Sequence, residues 1–182
     1  MRVIAGQVHG RRLKAPRGMA TRPTSARVRE SIFSRLAARL DFDGLKVLDI
    51  FAGSGALGIE ALSRGAASAV FVERDARAAG AIRANLGELG LGDDEAIVVQ
   101  APLSAALRTA RERGDAYDLV FLDPPYRLAP ALGMELTESL APLLAARARI
   151  VTESDRRAPL DLPLPATHER RYGDTLIRIH QE

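Results

Sequence analysis

The sequence has no cysteine and no tryptophan, and aromatic residues make up 4% of its 182 positions. Without cysteine there can be no disulfide, no thiolate-bound metal and no thiolate nucleophile. Histidine is scarce as well: His9, His168 and His180 are scattered and offer no zinc-ligand spacing, so no metal site is expected. No stretch of eighteen apolar residues occurs, and the opening "MRVIAGQVHGRRLK" lacks the apolar segment of a secretory signal. A soluble, cytoplasmic protein without membrane contact is expected. Lysine is confined to Lys14 and Lys46, so arginine carries nearly all the positive charge.

With 47% hydrophobic residues the chain can bury a core of ordinary size, and residues 1–182 read as a single domain. The net charge of +3 hides an asymmetry. Residues 1–40 hold ten Arg or Lys against one acid, Glu30, which leaves sixteen basic and twenty-two acidic side chains for the other 142 positions. A basic N-terminal extension on an acidic body is the arrangement expected when one face meets a polyanion. The competing explanation is a solvated surface in a chain that favours arginine.

Within the extension, "RVIAGQV" and "RRLKAP" read as two short strands joined through His9-Gly10. "TRPTSARVRESIFSRLAARL" follows as a helix with an arginine face, capped by Thr24 or Ser25, with Val28, Ile32, Leu36 and Leu40 at helical spacing. From Leu45 strands and helices alternate: "LKVLDIF", "GALGIEALSRG", "SAVFVE", "ARAAGAIRANLGELG", "AIVVQ", "LSAALRTARERG", "YDLVFLD", a helix near Glu135–Ala145, then "ARIVTE". Such alternation predicts a doubly wound α/β fold with a parallel sheet over residues 41–182. "RRAPLDLPLPA" reads as a connector, and the two runs around Gly173-Asp174 as a closing antiparallel hairpin.

"DIFAGSGALGIEAL" carries Gly53, Gly55 and Gly58 in the G-x-G-x-x-G arrangement between a strand and a helix. Glycine lets such a turn tighten and lets backbone N–H groups approach a ligand. Glu73 ends the next strand, where an acid accepts the ribose hydroxyls of an adenosine cofactor. Asp49, at the preceding strand end, argues against a pyrophosphate there and in favour of S-adenosylmethionine, whose ammonium and sulfonium are both positive. The third strand ends in Gln100-Ala101-Pro102, which supplies no evident side-chain ligand for adenine.

The run "LVFLDPPYRL" ends a strand on Asp123, followed by two residues without a backbone donor and an aromatic ring, Tyr126. Strand ends are where ligands bind in an open α/β sheet. The Asp123 carboxylate and the Pro124 carbonyl can accept the two N–H bonds of an exocyclic base amine, a poor nucleophile because its lone pair is delocalised. Pro125 biases Pro124 towards extended geometry, and Tyr126 offers a stacking face for an extruded base. Without cysteine, methylation at pyrimidine C5 through a thiolate adduct is excluded, leaving nitrogen or oxygen acceptors.

With these motifs in view, the chain resembles the RsmD-type family of methyltransferases. The resemblance rests on "MRVIAG", "GRRLKAP", "TRPTSARVRESIF", "VLDIFAGSGALGIEALSRGA", "FVE", "DLVFLDPPY" and "YGDT". It implies a seven-stranded class I fold and transfer of a methyl group from S-adenosylmethionine to the N2 amine of one guanine in 16S ribosomal RNA, in the assembled or partly assembled small subunit. A monomer is expected. It further implies a donor site over Asp49, Phe51, Ala52, Gly53, Ser54, Gly55, Gly58, Glu73 and Arg74 with Ala101 nearby, and an acceptor site at Asp123, Pro124, Pro125 and Tyr126. Arg11, Arg12, Lys14, Arg22, Thr24 and Arg27 are the expected RNA contacts. Alternatives are an amine methyltransferase acting on N6 of adenine, and an NAD-binding oxidoreductase, which would leave Asp49 and the two prolines unexplained. A non-catalytic RNA-binding protein would need the basic extension alone.

Overall fold

In the computed structural model, residues 1–16, 25–125 and 128–181 are described. The elements run α1 (Ala26–Ala37), β1 (Lys46–Ile50), α2 (Ala56–Ser63), β2 (Ser68–Val72), α3 (Ala76–Leu89), β3 (Ala96–Val99), α4 (Leu103–Arg113), β4 (Tyr117–Leu122), α5 (Ala129–Leu140), β5 (Leu144–Asp155), β6 (Ala166–Tyr172) and β7 (Thr175–Gln181). They form one seven-stranded sheet in the order β3-β2-β1-β4-β5-β7-β6. The first five strands in that order are parallel, and β7 runs antiparallel between β5 and β6. Strand order reverses at the β1/β4 pair, and that switch point opens the crevice in which doubly wound sheets bind ligands.

Each face of the sheet buries its own core. On one side Ile32, Phe33 and Leu36 of α1, Ile59 of α2 and Ile82 of α3 pack over Val47, Phe71 and Phe121. On the other, Leu107 of α4 and Leu136 and Leu140 of α5 pack over Leu48, Ile50, Val120 and Leu122. The connector between β5 and β6 supplies Leu160 and Leu162 to this second core, covering area that a crossover helix would otherwise cover. It lies so close that a Cβ on Gly133 of α5 would sit 1.9 Å from the Asp161 carbonyl oxygen, so only glycine fits.

Three expectations need correction. The helix expected near Glu135–Ala145 begins at Ala129 and ends at Leu140, followed by a 3₁₀ turn at Ala141–Leu143. Pro130 falls in its first turn, where a missing N–H costs nothing, so the proline there opens the helix and does not precede it. The two N-terminal runs do not form strands: they meet in one antiparallel bridge between Arg2 and Arg12, supported by Val3 N–H to Arg11 O (3.0 Å) and Leu13 N–H to Met1 O (2.9 Å). Finally, α1 is not arginine-faced throughout, because Arg29 is fully buried and donates from Nη2 to the Arg2 carbonyl (2.8 Å). Of the two cap candidates, Ser25 takes the role, its Oγ accepting the Val28 N–H at 3.3 Å; Thr24 lies outside the described residues.

Candidate active site

The register Asp49↔Phe121 and Ile50↔Leu122 makes β1 and β4 end level, so Phe51 and Asp123 leave the sheet side by side. Phe51 has φ 61°, in the left-handed region that costs a residue with a side chain roughly 1–2 kcal/mol. It turns the chain sharply into Gly53 (φ 58°) and Gly55 (φ 76°). A Cβ on Gly53 would meet nothing nearer than the Phe51 carbonyl oxygen at 3.9 Å, so the outer wall of this loop is an open cradle. Gly58 has a different reason to be glycine. A Cβ there would lie 2.4 Å from Cε1 of Phe71, which places Gly58 in helix–strand packing under the loop.

Below the loop, Asp49 is 1% exposed and its Oδ2 accepts the Gly58 N–H at 2.9 Å. Burial pushes its carboxyl up to about 7; the Gly58 hydrogen bond opposes this, and the nearby Glu73 adds to it. Asp49 is therefore committed to holding α2 beneath the loop. Glu73 is also buried, and its two oxygens accept the N–H groups of Gly53 (3.0 Å) and Asp75 (2.9 Å). Each carboxylate oxygen has a second lone pair, so Glu73 can still accept ribose hydroxyls while it fixes the loop. An open glycine cradle over two buried carboxylates fits S-adenosylmethionine, whose positive charges satisfy them. It does not fit a pyrophosphate.

Arg74 is exposed just beyond Glu73, and Ala101 packs, half-buried, at the margin of the second core with Phe51. Ala52 is buried and donates to the Val72 carbonyl oxygen (3.3 Å). At the end of β4, Asp123 is half-buried, Pro124 buried and Pro125 exposed, with the Pro125 carbonyl accepting the Leu128 N–H at 2.8 Å. Tyr126 lies outside the described residues. One acid went unread in the sequence: Glu153 is 5% exposed on β5, one residue past the Leu122↔Thr152 pair, hence level with Asp123 on the neighbouring strand.

The basic extension is clasped to this site. Glu60 of α2, fully buried, accepts the N–H groups of Ile4 (2.7 Å) and Ala5 (3.0 Å) and pairs with Arg64 (2.8 Å). Ser63 Oγ donates to the Ala5 carbonyl (2.6 Å). Asn85 of α3, also buried, accepts from Lys14 N–H (2.8 Å) and donates to both the Lys14 and Ser54 carbonyls (3.0 Å each), tying the extension to the glycine loop. Ser54 Oγ also meets Met1 Sδ at 3.6 Å. None of Glu60, Ser63 or Asn85 carried a sequence signal beyond being polar residues on apolar helices. Among the expected RNA contacts, Arg11, Arg12, Lys14 and Arg27 are exposed, but Lys14 pairs with Glu88 and Arg11 donates to the Glu88 carbonyl (2.5 Å). Arg22 and Thr24 lie outside the described residues. Among the described residues no cluster of histidine and acids could hold a metal, and no helix is long and apolar enough to cross a membrane.

Comparison with known proteins agrees with this geometry. The family model described as "Conserved hypothetical protein 95" matches residues 1–181. YlbH of Bacillus subtilis is 40% identical over the whole of this chain and 99% of its own length. The Haemophilus influenzae protein named ribosomal RNA small subunit methyltransferase D is 33% identical over the whole of this chain and 93% of that protein. Among solved structures, a hypothetical protein of Thermus thermophilus superposes with a TM-score of 0.84 at 34% identity, covering all of this chain and 99% of that one. More distant structures that share the fold alone include methyltransferases holding S-adenosylhomocysteine. A glycine cradle over buried acids, the reversed strand order at β1/β4 and a family match along nearly the full length converge, and the chain belongs to the RsmD-type family of class I, S-adenosylmethionine-dependent methyltransferases.

Proposed function

We propose that this chain methylates ribosomal RNA of the small subunit, at the exocyclic N2 amine of a guanine in 16S RNA presented by an assembled or partly assembled subunit. The observation that supports the reading is the level ending of β1 and β4, which brings the glycine loop and Asp123-Pro124-Pro125 to adjacent strand ends. The name borne by the Haemophilus influenzae relative supports the substrate class. S-adenosylmethionine, when bound, supplies an electrophilic methyl group on sulfonium. In this reading Gly53, Ser54 and Gly55 offer backbone to the donor, Glu73 takes its ribose hydroxyls, and Asp49 balances its charge from below. Phe51, Ala52, Arg74 and Ala101 border the same site.

Asp123 and the Pro124 carbonyl hold the two N–H bonds of the guanine amine, turning its lone pair towards the methyl carbon. The nitrogen–carbon bond forms as the sulfur–carbon bond breaks, and the amine proton passes to Asp123 or to water. Tyr126 stacks on the extruded base. Arg11, Arg12, Lys14, Arg22, Thr24 and Arg27 contact the RNA outside the crevice. Incubation with labelled donor and small subunits lacking the modification, followed by digestion to nucleosides, should yield N2-methylguanosine. N6-methyladenosine as the product, or no transfer at all, would overturn this reading.

A further inference from the structure

One well-formed cavity lies away from the strand ends. It lies between α1 and the antiparallel edge of the sheet, has a volume of about 160 Å³, and is lined by Arg35, Arg39, Arg149, Thr167 and Gln181 with apolar Leu36, Leu40 and Ile179 as its floor. At roughly 30 Å³ per water, it holds about five waters or one phosphate group with part of its hydration shell. Arg147, His168 and Arg170 flank it. A smaller depression lined by His168, Arg170 and Tyr172 continues along α1.

The charges here are arranged unlike those elsewhere on the molecule. Most ion pairs, including those of Arg156, Arg157, Arg171 and Arg178, satisfy arginines on other faces. Among the described residues no carboxylate is bonded to Arg35, Arg39, Arg147, Arg149 or Arg170. Among the described residues their bonded neighbours are neutral: Arg35 Nη2 lies 3.1 Å from His168 Nδ1, and Arg149 Nη1 donates to the Arg147 carbonyl at 2.8 Å. Burial, with Arg35, Arg39 and Arg170 close by, pushes His168 below its usual value, so its ring stays a neutral partner that can orient Arg35. Burial and the charges of Arg39 and Arg147 likewise lower Arg149. Gathering like charges costs free energy, and an anion removes that cost.

We propose that the groove between α1 and the β5-β7-β6 edge binds the phosphodiester backbone of the RNA substrate, as a second contact separate from the crevice that receives the base. This rests on the reading of the chain as an RNA methyltransferase. Arginine suits the task because its planar fork meets two phosphate oxygens at once, and the Thr167 hydroxyl and Gln181 amide add neutral hydrogen-bonding capacity. Arg35 and Arg39 stand one helical turn apart, about 6 Å, the scale of neighbouring phosphates on a strand. Arg149 pairs with Leu119 of β4, four residues before Asp123. That separates groove and reacting strand end by about 13 Å along the strand direction, a span a few nucleotides long. A groove walled by three arginines, with no aromatic side chain in its lining, favours nucleic acid over a protein partner.

The test measures binding of protein-free 16S RNA at several salt concentrations to the wild type, R35Q/R39Q, R35E/R39E and a control, R111E, on the exposed side of α4. The pair of glutamines should weaken binding about tenfold near 150 mM salt and lower the slope of log affinity against log salt by about 1.4, the value for two lost contacts to a single strand. R35E/R39E should lose more, R111E little, and all four should bind S-adenosylhomocysteine equally. An unchanged slope in R35Q/R39Q with wild-type RNA affinity would overturn the groove. So would unchanged binding to bare RNA with lost binding to whole subunits, which would put a ribosomal protein there instead. Methyl transfer by the wild type is scored separately: if it fails, the enzymatic reading falls, whereas a wild type that methylates subunits while R35Q/R39Q binds RNA normally removes the groove alone.

Discussion

Carboxylates crowd the strand ends beneath the glycine loop, and arginines crowd the opposite margin of the same sheet; the two clusters are held in contrasting ways. Asp49 and Glu73 are buried and bonded to backbone N–H groups of Gly58, Gly53 and Asp75. Arg35, Arg39 and Arg149 remain in contact with solvent and are bordered by a neutral histidine, a hydroxyl and an amide. Buried acids held by neutral donors are poised for a small cation, which enters a pocket. Solvated cations that no carboxylate among the described residues pairs suit a polyanion, which lies along a surface. If the two readings hold, one sheet separates donor chemistry from substrate grip by charge sign.

The division can be broken most severely at Asp123. Asp123→Asn should lower kcat by about 10²–10³, the usual cost of losing one preorganised hydrogen-bonding partner at a reacting atom, while leaving RNA affinity and its salt slope intact. R35Q/R39Q should do the reverse, and equal losses of kcat and RNA affinity in both variants would erase the distinction. Next in size is Gly58→Ala. The added methyl meets the Phe71 ring at 2.4 Å, and overpacking of this kind costs about 1–3 kcal/mol, read as a Tm lowered by about 2–4 °C per kcal/mol. A variant as stable as the wild type would show that the loop and helix can shift without cost.

Asp49 sharpens the contrast through pH. Its carboxyl titrates near 7 in the folded chain, above its ordinary value of 3.8, so its contribution to stability is full below about 3.8 and is lost as pH rises through 7. A bound cation favours the ionised form, so affinity for S-adenosylmethionine should increase about tenfold between pH 6 and pH 8. Asp49→Asn keeps an acceptor for the Gly58 N–H, and should give a flat profile and a higher Tm at pH 8. A pH-dependent profile in that variant would assign the titration to another group. The smallest effect is expected from Arg11→Gln with Arg12→Gln, which should lower the salt slope of RNA binding by less than one, because Arg11 is already engaged with the Glu88 carbonyl. A larger drop than in R35Q/R39Q would make the N-terminal extension the main grip.

Much of the sheet was legible because apolar periodicity reports burial, and burial is what the parallel strands and covering helices share. β1 to β4 and α2 to α4 fall within a few residues of the runs read from sequence. Local chemistry was legible too: the Ser25 cap, the glycine loop and the turn at Gly173. What stayed hidden depends on partners distant in sequence. Nothing near Arg29 signals that it turns inward beside Glu60, and nothing near Asn85 signals Lys14 and Ser54. The helix read near Glu135–Ala145 opens earlier, at Ala129, with Pro130 in its first turn. The glycines shared a motif but not a setting: Gly53 faces open space, while Gly58 is fixed by the Phe71 ring. The basic groove was invisible because its arginines come from α1 and β5, more than a hundred residues apart.

A crystal structure with S-adenosylhomocysteine tests the shared crevice most directly. The ligand should lie over Gly53 to Gly55 with its ribose hydroxyls on Glu73 and its sulfur turned towards Asp123. A ligand bound elsewhere, or one whose sulfur faces away from the end of β4, would contradict a common site for donor and base.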